Sequence, residues 1–139
     1  MHRTIGCLLA GLAGTLAGAV ADGAVAFAAS PGPDGMRGRW TLVEVASRPV
    51  RPSASAPLPW FAIGRHAIEG HDGCNEFSGS LDTPGSIVAT RRGCADGALK
   101  LPLDLADPVP QLKAGKVVGG RLVLPAIGTM PGFAMRRAP

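Results

Sequence analysis

Glycine and proline set the tightest limit on what this chain can fold into. With 20 Gly and 13 Pro in 139 residues, most stretches are interrupted before a helix of several turns can form, because glycine is costly to order and proline removes an amide donor. Short runs of apolar and β-branched residues survive between the interruptions. They are RWTLVEV at 39–45, the two halves of WFAIGRHAIEG at 60–70, the alternating segment 74–82, then 86–90, 116–118, 121–124 and 133–135. This pattern predicts a mainly β domain of about seven or eight short antiparallel strands with at most one short helix. A closed or nearly closed barrel is the expected arrangement, since a small sheet must cover its edges.

The connections read as turns and loops. Gly64-Arg65, Thr83-Pro84-Gly85, Gly119-Gly120 and Pro131-Gly132 mark tight turns, the first because Gly accepts positive φ. Residues 46–59 hold Pro49, Pro52, Pro57 and Pro59, too few donors for an interior strand, and read as a long surface loop. A short helix is expected over Ala98–Leu105, confined or kinked by Pro102. Trp40 and Leu42 share one face of the first strand, and Trp40, Trp60, Phe61, Phe77 and Phe133 are expected to fill the centre.

The first residues differ from the rest. His2 and Arg3 precede an apolar stretch from Ile5 to Ala21, and Ala26-Phe27-Ala28 supplies the small-x-small pattern of signal cleavage. Residues 1–28 read as a secretory signal peptide, 29–37 as a flexible leader and 38–139 as the domain. Gly6, Gly11, Gly14 and Gly18 weaken the apolar stretch as a membrane anchor, and no basic cluster follows it. Cys7 precedes the apolar core instead of following it, which argues against a lipoprotein signal. Cleavage removes Arg3 and Asp22, so the net charge of +4 is unchanged. The expected location is periplasmic or secreted, with no stable membrane span after cleavage. In that oxidising setting the two remaining cysteines, Cys74 and Cys94, are expected to pair, adding about 3 kcal/mol by constraining the unfolded chain.

The segment GHDGCNEFSG at 70–79 is the most specific in the chain. Together with Gly38-x-Trp40-x-Leu42 before it, Thr90-Arg91-Arg92-Gly93-Cys94 after it and the late run Arg121–Leu124, it resembles the META-domain, or HslJ-like, family. The family pattern is an opening strand containing Trp, a G-x-x-G-C-N-x-F-x-G turn and strand, a T-x-x-x-C segment, a short helix and a closing hairpin. The chain departs from it where the family helix carries an acidic residue and an aromatic, having Leu-Pro-Leu-Asp and Asp107-Pro108-Val109-Pro110 there. The resemblance implies a small β-barrel domain of bacterial envelope and secreted proteins, linked in places to heat shock, motility and antibiotic tolerance, with no catalytic activity attached. Trp40, Gly70, Gly73, Asn75, Phe77 and Gly79 are then fold-making residues. Gly73 and Gly79 permit backbone geometry that a Cβ would block, Asn75 bonds backbone at the turn, and Phe77 fills the interior.

Other chemistries are weaker. His66, His71 and Cys74 are zinc-type donors, but five residues along a strand point the two imidazoles to opposite faces, and Cys74 is expected in a disulfide. No G-x-S-x-G elbow is present, and Glu44, Glu69, Asp72 and Glu76 read as solvated strand or turn residues. Ala114-Gly115-Lys116 lacks the first Gly and the Ser/Thr of a phosphate loop. Arg91-Arg92, Arg136-Arg137, Arg48 and Arg51 are scattered and not interleaved with aromatics, which argues against nucleic acid and allows an anionic envelope surface. The sequence therefore predicts no enzyme, no cofactor and no metal. It predicts a binding or stress-tolerance module whose partner is an envelope protein or an anionic surface. A lipocalin-like carrier of a small apolar ligand is the alternative, if the barrel is hollow.

Overall fold

A computed structural model describes residues 33–139. The expected signal peptide 1–28, Cys7 and the start of the leader lie outside the described residues. Pro33–Met36 form a single helical turn, α1, followed by β1 at Gly38–Val45, β2 at Arg48–Pro49, β3 at Trp60–Ile63, β4 at Ala67–His71, β5 at Glu76–Ser80 and β6 at Val88–Ala89. Helix α2 spans Val109–Ala114, and β7 at Lys116–Val118, β8 at Arg121–Leu124 and β9 at Phe133–Arg137 complete the chain.

All pairings are antiparallel, in the order β6-β5-β4-β3-β1-β9-β8-β7, with β2 on β1. The mainly β reading holds, with nine strands among the described residues. The closed barrel does not. Edge strands β6 and β7 are not paired with each other, and they are only two and three residues long, too short to form a closing ladder. The protein blunts these edges by brevity instead of closure.

Alternation builds the core. Trp40 and Leu42 of β1, Phe61 and Ile63 of β3, Ile68 of β4, Phe77 of β5, Leu122 and Leu124 of β8, and Phe133 and Met135 of β9 are buried in one cluster, joined by Leu101, Leu103, Leu112 and Met36 from outside the sheet. A bulge between Leu42 and Glu44 shifts the β1–β9 register, so that Val45 lies opposite Phe133 and packs against the cluster. Trp60 is the exception to the expected set of central aromatics. It precedes Phe61 in the same strand, so the pleat that buries Phe61 turns Trp60 to the outer face.

Three local expectations change. The end of the expected leader is fastened to the domain: Met36 is buried, its carbonyl accepts from Trp40 Nε1 at 2.6 Å, and Arg137 Nη1 donates to the Arg37 carbonyl at 2.9 Å while lying over the Trp40 ring. The proline loop begins as a hairpin, β1 turning into β2 through Ala46 and Ser47 at φ 49° and 61°. The helix lies at 109–114, not 98–105, because Pro108 and Pro110 fall at its N-terminal end, where missing amides cost nothing. Its buried Gln111 ties it to the Pro125 carbonyl. The β3–β4 hairpin forms as expected, yet Gly64 is not in the positive-φ set, and its amide donates to the Ala67 carbonyl at 2.8 Å.

Candidate functional site

The GHDGCNEFSG segment forms β4's last residues, a turn and β5. Asp72 organises the turn. Its Oδ1 accepts from the amides of Cys74 at 2.8 Å and Asn75 at 2.6 Å, an Asx-type arrangement that ionised carboxylates favour. The Asp72 amide donates to the Asn75 carbonyl, and the Asp72 carbonyl accepts from Leu101, which draws the 95–101 segment onto the turn. Gly73, at φ 103°, passes so close beneath Leu99 that a Cβ would strike its carbonyl oxygen. Sequence reading placed Asp72 among solvated carboxylates and missed this role. The signal available was an Asp two residues before Cys74 in a glycine-flanked turn.

Asn75 joins the turn to the strand that follows. Its Oδ1 accepts from the Arg92 amide at 2.7 Å and from Thr90 Oγ1 at 3.3 Å. Thr90 Oγ1 in turn accepts from the Glu76 amide, and the Thr90 amide donates to the Glu76 carbonyl. The disulfide between Cys74 and Cys94, with Cα atoms 5.1 Å apart, closes the same clamp covalently. The remaining motif residues are packing sites. Gly70 lies against Trp60's backbone and the Phe77 ring, Gly79 lies within 3 Å of Ile87 by the Cβ it lacks, and Trp40 and Phe77 are in the core.

The structure does not bring the candidate zinc donors together. His66 stands in the β3–β4 turn with its Nδ1 2.8 Å from Asp82 Oδ2, both side chains largely exposed. His71 Nδ1 accepts from the Gly73 amide at 3.1 Å. Glu44 pairs with Arg121 at 2.9 Å, and Glu76 faces Arg92 at 3.9 Å. Among the described residues no group of three His, Cys, Asp or Glu is placed to hold a metal.

Among the hollows of the described residues, two bear on what the molecule could bind. One, near 200 Å³, lies at the end of the core between Met36, Ile63, Leu81 and Leu112. The other, about 470 Å³, is shallow and lies on the outer sheet face beside Trp60 and Glu69. Among the described residues no helix is long and apolar enough to cross a membrane, which with the disulfide is compatible with a periplasmic or secreted protein.

A family model described as META domain matches residues 34–130. No curated protein and no solved structure matches the chain.

Proposed function

The chain belongs to the META-domain family, and from that premise we propose that it is a non-enzymatic, exported binding module of the bacterial envelope that supports stress tolerance. The observation carrying this reading is that the polar side chains of the turn in the most family-like segment are taken up by backbone amides. Asp72, His71 and Asn75 each accept from neighbouring amides, and the thiols that a nucleophile or metal site would need are joined to each other. A general base or ligand set has to keep its lone pairs aimed at an open site. These aim inward.

The carrier alternative draws little support from the interior. Trp40, Phe61, Phe77 and Phe133 fill the centre with the aliphatic cluster, and the end cleft of about 200 Å³ falls below the roughly 300–1,000 Å³ of ordinary ligand pockets.

The test is a strain lacking this chain, complemented with the wild type or with His66→Gln/His71→Gln, and scored for heat and antibiotic tolerance alongside capture from its envelope fraction. Equal tolerance and the same captured component with both proteins are expected. Tolerance restored by the wild type alone, with both proteins equally folded, would return chemistry to these residues. Intact mass of the exported protein should correspond to a start near Ala29; a retained Met1 or a lipid adduct on Cys7 would remove the export argument.

A further inference from the structure

The outer hollow is built by alternation around Trp60. In the sheet order, Arg39 of β1 lies on one side of β3 and strands β4, β5 and β6 on the other. Arg39 stacks its guanidinium 3.7 Å from the Trp60 ring centroid, which fixes the ring in place. On the opposite side Glu69 pairs with Ser78, and Ser78 with Val88, so these three stand in a row across the outward face. The hollow of about 470 Å³ between them and the indole is open to solvent.

Two of its polar groups, on Trp60 and Glu69, lack the partners that the turn supplies to its own. The Trp40 indole donates to Met36, but among the described residues no hydrogen bond engages the Trp60 indole N–H, and neither a hydrogen bond nor an ion pair engages the Glu69 carboxylate. The charged residues that line the hollow are Glu69 and Glu76, with Arg39 over the far face of the indole and Arg92 near Glu76.

We propose that this hollow binds an uncharged pyranose unit of a glycan, stacked on Trp60. The proposal rests on the reading of the chain as a binding module and names its ligand class. A pyranose has an apolar C–H face and a rim of hydroxyls that both donate and accept. The hollow offers one flat aromatic face, a free N–H donor, carboxylate acceptors at Glu69 and Glu76, and the Ser78 hydroxyl. An anionic sugar would meet two carboxylates, and a cation would gain less from them with Arg39 behind the indole and Arg92 beside Glu76, whereas an uncharged ring needs only hydroxyl partners. An apolar peptide would cover Glu69 without giving it a donor. The far wall is the short strand β6, which Asn75 and the disulfide hold in place, so the site is expected to weaken when the disulfide is reduced.

The experiment titrates the mature protein by calorimetry with N-acetylglucosamine tetramer and with cellotetraose, using an oligogalacturonate and tetralysine as charged comparators. Saturable binding of at least one uncharged tetramer is expected. Trp60→Ala should weaken it about tenfold or more, and Glu69→Gln, an exposed and isosteric change, several-fold. No binding of either uncharged tetramer up to roughly 10 mM, unchanged binding by both variants, or tighter binding of a charged comparator would overturn the proposal. Envelope capture distinguishes the two levels: capture retained by Trp60→Ala leaves a binding module without this glycan site, and capture absent from the wild type removes the module reading itself.

Discussion

At the scale of single residues, Asn75 and Gly73 hold the turn by different means. Asn75→Ala removes the acceptor used by the Arg92 amide and Thr90 Oγ1. Urea unfolding should show a loss of about 1–2 kcal/mol, with Asn75→Asp losing less because it keeps an acceptor. Gly73→Ala combines a φ of 103° with a collision at the Leu99 carbonyl, and should cost about 3 kcal/mol or more. Gly85→Ala is the control: its φ is 72° but nothing lies near the added Cβ, so only about 1 kcal/mol is expected. Replacing His66 and His71 by Gln should stay within roughly 0.5 kcal/mol in the same measurement. The motif was legible because its Gly, Cys, Asn and Phe stand at fixed spacing. Trp60's place was misjudged because adjacency to Phe61 in a strand already forbids both rings from facing inward.

At the scale of elements, most strands could be read from their alternation, and the ones that could not share a cause. The β1–β2 turn uses Ala46 and Ser47 at positive φ, a conformation that Asn-Gly signals and Ala-Ser does not. The hairpin was hidden by its own unfavourable residues. Substituting Ala46→Asn with Ser47→Gly should therefore raise stability by about 1 kcal/mol, read as a higher urea midpoint with an unchanged slope. A lower midpoint would show that the turn does not adopt these angles. Helix α2 was misplaced for the converse reason. The helix was read at 98–105, confined by Pro102, and Pro108 and Pro110 were noted only as a departure from the family pattern, although at a helix's start they are favourable residues.

At the scale of the whole molecule, the disulfide and the sheet order act on different parts of folding. Cys74 and Cys94 are 20 residues apart in sequence, so their reduction should cost about 3 kcal/mol. The loss should appear as a lower denaturation midpoint, with amide exchange rising first in residues 90–98, while the Trp40 cluster stays protected. A loss spread evenly over the sheet would contradict that division. The sheet order has a consequence in time. Strand β1 lies in the middle of the sheet, with β3 on one side and β9, which ends at Arg137, on the other. During synthesis its second edge stays bare until Phe133–Arg137 has emerged, and until then Trp40 lacks the Arg137 cover that closes over it. A sheet wired this way cannot finish its core outward from its first strand, and becomes compact only when β9 closes the open side of β1.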